Sequence, residues 1–409
     1  MWFIWLATGL ALLVAAGLYV RRRLVAAAGA LGLGARGRAA LRWVWLWLVF
    51  GYPVIVFATV AVSLIVGGER MGAPQHPLVT WGLILPWFLS VLVVFQATPY
   101  LLALDLVRRL RRRAVPAAPS MSRRHAAAVL GVLGAFAVYT PARIAWEHGD
   151  LRWRHHVVQA PTPADGAARG EPPPRLRIAF LADLQQDAHT TAADARAIIE
   201  RLNAQEPDLV LSGGDWINMG PDHVAAAARS AGLARSRLGT FSVRGDHEHF
   251  VYVDRARGVA EVTAAMRAEG VEMLHNELRR FDHHGRTVAV AFLTYSYPAR
   301  TPDDEIERLI AGVEDADLAI LVTHQLDAAI AARARDRVDL ILAAHTHGGQ
   351  VNPVLGLWHA PLARLETPYT DGRYRLGATT IIVTAGVGYS IVPFRYASPG
   401  SVETIDVVW

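Results

Sequence analysis

Before about residue 147 the chain consists of charge-poor apolar runs, and after about residue 175 of short apolar runs separated by amphipathic stretches. Four early runs, residues 2–20, 44–66, 78–104 and 126–146, are long enough to cross a hydrocarbon core, which takes roughly 20 helical residues. Pro53, Pro86 and Pro99 fall inside the second and third, where neighbouring helices can satisfy the backbone groups a proline frees. Residues 2–20 have no basic segment before them and Arg21, Arg22 and Arg23 after them, the reverse of a secretory signal, so they read as a retained helix. Residues 148–174 lose periodicity and gather Pro161, Pro163, Pro172, Pro173 and Pro174, which reads as an extended linker or a strap along the following domain. From 175 to 409, strand-type runs at 176–182, 209–212, 240–243, 288–293, 318–323, 338–343 and 380–384 alternate with helical stretches. Thr191 and Asp194 form a capping box opening one helix, and Ala-rich residues 224–234 and 259–268 have helical composition. The alternation predicts an α/β domain whose buried sheets are covered by helices.

Arginine placement predicts how the apolar half is oriented. The segment after the first run holds Arg21, Arg22, Arg23, Arg36, Arg38 and Arg42, and the segment after the third holds Arg108, Arg109, Arg111, Arg112, Arg113, Arg123 and Arg124, so both should be cytoplasmic. The loop between the second and third runs has one arginine, Arg70, beside Glu69 and should face outward. Four crossings then make a multi-pass cell-membrane protein whose domain from 175 onward is extracytoplasmic. Composition agrees: 53% of the 409 residues are hydrophobic and 19% charged, which excludes disorder. The net charge of +5 arises beside the apolar runs, so no nucleic-acid partner is expected. The absence of cysteine excludes thiolate nucleophiles, disulfides and Cys-ligated metals.

The chemistry-bearing residues fall at one place in the α/β pattern, the carboxyl ends of strands. Asp183 follows the first strand, Gly214-Asp215 the second, Gly245-Asp246-His247-Glu248 the third, His324 the fifth and His345-Thr346-His347 the sixth. In open α/β sheets this edge is where ligands bind, so residues more than 160 apart in sequence can share a site. Each piece alone has an ordinary explanation, a helix cap, a turn or a surface histidine. Five such pieces, each after an apolar run, instead make an inventory of metal ligands. Asp282-His283-His284-Gly285 precedes a strand and ends in glycine, so it reads as a polar turn.

Together these segments resemble the calcineurin-like metallophosphoesterases, of the bacterial membrane-bound type, whose pattern is D-x-H, G-D, G-N-H-D/E, H and G-H-x-H. Here the pattern stands as Asp183-Leu184-Gln185, Gly214-Asp215, Gly245-Asp246-His247-Glu248, His324 and Ala344-His345-Thr346-His347-Gly348-Gly349-Gln350, followed by a Gly386-Val387-Gly388 loop. The resemblance implies a four-layer αββα sandwich over 175–409. It implies that Asp183 and His347 hold one metal, His324 and His345 the other, that Asp215 bridges them, and that His247 contacts the phosphate and assists the leaving group. Two positions depart: Gln185 stands for a metal-binding His and Asp246 for a metal-binding Asn. The exchange adds anionic oxygen and removes nitrogen, which favours two divalent ions with Mn²⁺ ahead of iron, Mg²⁺ or Zn²⁺. Asp187 and His189 are nearby candidates for the missing ligand.

These readings combine into a membrane-anchored phosphoesterase that hydrolyses a phosphomonoester, phosphodiester or pyrophosphate with metal-activated hydroxide. Four helices exceed what anchoring requires, which points to a phospholipid or lipid-linked phosphoester or pyrophosphate presented at the bilayer. The alternative is a non-catalytic membrane sensor or scaffold that retains a degenerate fold. A transporter is disfavoured because Asp105, near the end of a run, is the one ionisable residue of note in the apolar half.

Overall fold

The computed structural model describes residues 2–66, 69–71, 77–114, 121–161, 175–356, 358–359 and 361–409. The chain divides into two compact units, one of residues 1–67, 74–147 and 353–360, the other of residues 68–73, 148–352 and 361–409.

The first unit is helical. Its elements are α1 (Trp2–Ala30), α2 (Ala35–Val66), a short turn α3 (Pro77–Val79), a π-helical turn Thr80–Ile84, α4 (Leu85–Ala114) and α5 (Arg123–Glu147), with the two-stranded hairpin β10 (Val354–Leu355) and β11 (Trp358–His359). Among the described residues three helices are long and apolar enough to cross a membrane, Ala35–Val56, Thr80–Arg111 and Arg123–Glu147. The π turn lies just before Pro86. Proline has no N–H and its ring crowds the carbonyl four residues back, and widening the turn accommodates both. Val20, Ala27, Val49, Val94, Leu101, Val129 and Leu133 form the interior of this bundle. Trp45 donates to the Gly17 carbonyl at 2.9 Å and Gln96 to Thr140 at 3.1 Å. Asp105 is paired with Arg23 at 2.6 Å and accepts from Tyr19 at 2.7 Å, so it is a tie between helices.

The second unit is two six-stranded sheets. One runs in the order β1 (Leu151–Gln159), β14 (Gly400–Val408), β2 (Arg175–Leu181), β3 (Leu209–Ser212), β4 (Thr240–Val243), β5 (Val271–Leu274). The other runs β12 (Gly372–Leu376), β13 (Thr379–Val383), β9 (Leu340–Ala343), β8 (Leu318–Thr323), β7 (Arg286–Leu293), β6 (Glu277–His283). The cores of both sheets are parallel, β2 to β5 and β7–β8–β9–β13, with antiparallel pairs β14–β2, β6–β7 and β12–β13. Strand alternation sorts the side chains. Ile178, Phe180, Leu211, Phe292, Ile320 and Ile405 meet between the sheets. Ala179, Leu181 and Val210 face α6 (Ala192–Asn203), α7 (Val224–Ala231) and α8 (Arg255–Ala268). Leu293, Leu321 and Ile341 face α9 (Asp303–Ala311) and α10 (Ala328–Ala334). The result is an αββα sandwich. Burial on both faces explains why the central strands read as unbroken apolar runs.

Several elements differ from the sequence expectation. The segment 148–174 is not all linker, since β1 within it pairs in parallel with β14, and residues 162–174 lie outside the described residues. Four of the nine residues of β1 are arginine or histidine, and these polar side chains meet partners far along the chain: Arg154 with Asp371 at 2.6 Å, His155 with Asp406 at 2.9 Å and His156 with Glu403 at 2.8 Å. β5, β6, β12 and β14 were likewise not legible as strands. The capping box of α6 forms as expected, Thr191 accepting from the Asp194 amide and Asp194 from the Thr191 amide. The polar turn also forms, with His284 and Gly285 in the left-handed region between β6 and β7. Residues 69–71 pair with the stretch just beyond His247: the Met71 amide donates to Val251 O (3.1 Å) and the Val253 amide to Glu69 O (2.8 Å).

Candidate metal centre

Each candidate residue sits where a buried strand ends and the chain must turn sharply. Asp183 (φ 53°), Gln185 (φ 50°), Asp215 (φ 59°), His345 (φ 73°) and His347 (φ 49°) all adopt the left-handed conformation. Non-glycine residues rarely do so, at a cost of about 1–3 kcal/mol each, and such strain gathers at functional sites. Glycine permits the close packing around them. A Cβ on Gly245 would lie 2.1 Å from Asp215 Oδ1, and one on Gly386, itself at φ 67°, would lie 2.6 Å from Asp183 Oδ2. Glu248 fixes the shape of two turns at once, accepting from the amides of Asp215 (3.0 Å), Trp216 (2.8 Å) and Gly245 (2.6 Å).

Two sets of ligand atoms converge, Asp183, Asp215 and His324 in one, Asp246, His324 and His345 in the other. His324 is shared. Its Nδ1 donates to the Gly213 carbonyl at 2.7 Å, which leaves Nε2 as the atom free to bind a cation, 3.4 Å from Asp215 Oδ2 and 4.0 Å from Asp246 Oδ2. His345 Nδ1 is 3.0 Å from Asp246 Oδ2 and 3.3 Å from His324 Nε2. Gln185 Nε2 donates to Asp215 Oδ2 at 2.8 Å, while its Oε1 and Asp183 Oδ1 are buried without a hydrogen-bond partner. His347 stands outside both sets. Its Nδ1 faces Arg395 Nη2 at 3.5 Å, leaving Nε2 as the remaining donor atom of the ring. His247 donates through Nδ1 to the Asn218 carbonyl and holds Nε2 3.9 Å from Asp215 Oδ2.

Residues 176–349 match the family model of the calcineurin-like phosphoesterases. Over that stretch the chain is calcineurin-like. A transmembrane protein with metallophosphoesterase domain from Danio rerio is 29% identical over 241 residues, 56% of this chain and 52% of the relative. An uncharacterized metallophosphoesterase of Helicobacter pylori strain J99 is 27% identical over 237 residues, 57% of this chain and 60% of its own. The uncharacterized metallophosphoesterase YkuE of Bacillus subtilis is 28% identical over 228 residues, 54% of this chain and 75% of its own. The chain thus spans about half the length of the Danio rerio relative it matches.

The electrostatics of this calcineurin-like centre suit divalent cations. Burial pushes Asp183 up to about 7, and burial with the charge of Asp246 pushes Asp215 well above the usual carboxylate range. Burial also disfavours charge on Asp246 and His345, but their mutual hydrogen bond, with Glu366 on the far side of His345, reverses the balance: Asp246 is held low and His345 up at about 10. Burial lowers His324, His247 and, with the Arg395 charge, His347. Three buried carboxylates at this spacing repel, and a cation between them removes the repulsion. Together with the unpartnered Asp183 and Gln185 oxygens, this donor set fits the metal ions the family implies.

The structure adds residues that the sequence did not single out. Glu366 meets His345 Nε2 at 3.1 Å, and the Tyr297 ring packs 5.2 Å from His345 while its amide donates to Asp246 Oδ1 at 2.8 Å. Neither carries a motif. Arg395 is 3% exposed and donates to the carbonyls of His347, Ala385, Gly386 and Gly388, tying the glycine loop to the centre. Asp187 does not replace the missing ligand, because its oxygens accept from the amides of His189 (2.6 Å) and Thr190 (2.9 Å) and from Asn218 Nδ2 (2.7 Å). It orients Asn218, which in turn orients His247. The ring of His189 also lies outside both ligand sets.

Proposed function

We propose that the chain is a membrane-anchored metal-dependent phosphoesterase acting on a monoester, diester or pyrophosphate. The observation that carries this reading is the pair of ligand sets joined through His324. Asp183, Asp215 and Gln185 would hold one ion and Asp246, His324 and His345 the other, with Asp215 between them and Mn²⁺ the best match to the oxygen-rich donors. Divalent ions held there supply a Lewis acid and a water that is nucleophilic at neutral pH. His247 is the proton carrier: the Asn218 carbonyl fixes its tautomer, so Nε2 faces the centre and can donate to the leaving oxygen. An anionic substrate beside it raises the affinity of that nitrogen for its proton. Purified full-length protein should hydrolyse an aryl phosphate with added Mn²⁺ and bind about two ions per chain. No turnover with any divalent ion and no bound metal would overturn the reading.

The same proposal places the domain outside the cytoplasm on a multi-pass anchor, α1, α2, α4 and α5 crossing the bilayer. The arginine-rich segments after α1 and α4 support it. So does the pairing of residues 69–71, in the arginine-poor loop after α2, with residues 251–253 of the domain. The substrate is a phospholipid or a lipid-linked phosphoester. Exposed apolar side chains flank the ligands: Met219 after Asn218, Tyr297 against His345, and Leu365 before Glu366. Ile391 is 75% exposed yet held at φ 65°, a strained geometry for a β-branched residue that burial does not reward. Full-length protein in vesicles should prefer lipid over soluble phosphoesters, and replacing Met219, Leu365 and Ile391 by Gln should lower only the lipid rate. Equal loss on both substrates would overturn the lipid assignment.

The contact of His347 Nδ1 with Arg395 Nη2 at 3.5 Å favours the second reading, a non-catalytic sensor or scaffold that retains a degenerate fold. Metal content separates the two readings, since a scaffold would bind none.

A further inference from the structure

Beside the centre lies a group of basic side chains that the phosphoesterase chemistry does not use. Val243 and Leu274 are register partners at the ends of the parallel strands β4 and β5, so Arg244 and His275, the next residue on each, leave the same sheet edge side by side. His249 joins them from the short 3₁₀ turn His247–His249. None of the three side chains makes a hydrogen bond or ion pair among the described residues, and Arg244 Nε and His249 Nε2 are buried without a partner. Elsewhere in the domain arginines at strand edges are paired, Arg177 with Asp406 at 2.8 Å and Arg279 with Glu272 at 2.8 Å. A buried, unpaired donor is costly unless something else completes it.

The acids nearby are already engaged. Glu248 accepts three backbone amides, Glu277 pairs with Arg279 at 3.2 Å and Glu305 with Arg308 at 3.5 Å. His249 stands beside the permanent cation of Arg244, with Arg255 and His275 adding to the positive field. Along the sheet edge the order is Asp183 on β2, Asp215 on β3, Asp246 and Arg244 on β4, His275 on β5. Neighbouring strands are about 4.8 Å apart, so this cluster lies roughly 5–10 Å from the ligands, one step further along the same edge.

We propose that Arg244, His249 and His275 form a second anion subsite that takes an acidic group on the substrate, separate from the phosphate being cleaved. The proposal rests on the phosphoesterase reading and narrows it: the substrate carries a second phosphate or a carboxylate roughly 5–10 Å from the scissile phosphorus. Arg244 supplies the fixed charge, and His249 and His275 supply N–H donors around it.

The test uses full-length protein in detergent with Mn²⁺ and two probes, phenylphosphonate and 4-carboxyphenylphosphonate, which adds a carboxylate across one ring. The unaltered protein should bind the carboxylate-bearing probe about ten-fold tighter, as expected of one charge-assisted contact. Arg244→Gln should abolish that preference and leave phenylphosphonate affinity unchanged. Should Arg244→Gln not fold, His275→Gln at its exposed position should still reduce the preference about three-fold. Equal binding of both probes, or a preference that survives substitution, overturns the subsite alone. If neither probe binds, the phosphoesterase reading falls with it. Hydrolysis of glycerophosphoserine in solution and of phosphatidylserine in phosphatidylcholine vesicles then identifies the source of the second anion. An Arg244-dependent advantage in either arm supports the subsite, and in neither overturns it.

Discussion

The two halves of the metal centre are built from similar residues but finished differently. Around Asp246, His324 and His345 every first ligand has a support: Tyr297 holds Asp246, the Gly213 carbonyl holds His324, and Glu366 holds His345. Around Asp183 the supports are sparse. Gln185 turns its amide nitrogen to Asp215, Asp183 Oδ1 has no hydrogen-bond partner among the described residues, and His347 turns Nδ1 to a buried arginine. The contrast teaches that a ligand motif fixes which side chains arrive at a site, whereas the hydrogen bonds behind them fix how well they bind. We expect the Asp246 half to hold its ion more tightly than the Asp183 half.

The strongest way to break this comparison is to remove what the halves share. Asp215→Asn should lower kcat by about 10³-fold or more, since one carboxylate serves both ions, and a mild loss would mean that the halves act independently. His247→Asn should lower kcat by about 10²-fold while leaving metal content unchanged, because its proposed role is to carry a proton and not to hold an ion. Loss of metal in that variant would move His247 into one of the halves. His345→Ala should weaken the tighter ion by about 10- to 100-fold, while Asp183→Ala should affect only the weaker one, measured by competition with a chelator. The reverse order would invert the comparison. Gln185→His should strengthen the weaker ion about ten-fold if residue 185 faces it, and an unchanged affinity would show that residue to be a spacer.

Protons sharpen the contrast further, with the smallest effect. His345 stays charged up to about 10, so filling the Asp246 half at pH 8 must expel about one proton. Asp183 holds a proton only below about 7, so its own carboxyl releases none at pH 8 and about one at pH 6 when its half fills. Calorimetry in buffers of different ionisation enthalpy should therefore show proton release rising as pH falls through 7, and a constant release would contradict the assignment of Asp183.

Much of this was written in the local pattern. The alternating runs of β2, β3, β4, β8 and β9 and the polar residue closing each one are short-range features, readable because a strand buried on both faces has to be apolar and its end has to turn. The family pattern added the order in which Asp183, Asp215, Asp246, His247, His324 and His345 would meet. β1 was hidden because its arginine and histidines look like a solvated linker until Asp371, Glu403 and Asp406 are seen opposite them. Glu366 and Tyr297 had no signal, since an ordinary acid and an ordinary aromatic become part of a centre only through contacts made across the fold.

The sequence by itself determined the apolar helices, the alternation of strand and helix, and which side chains are candidate ligands, all properties of residues close together in the chain. Only the tertiary structure decided that His347 would face Arg395, that Asp187 would brace Asn218 instead of a metal, and that Arg244 Nε and His249 Nε2 would be buried together with no hydrogen-bond partner among the described residues. Hydrogen bonds and charges act over a few ångströms of space, and residues 48 apart in sequence, as His347 and Arg395 are, become neighbours only once both sheets have closed over the core.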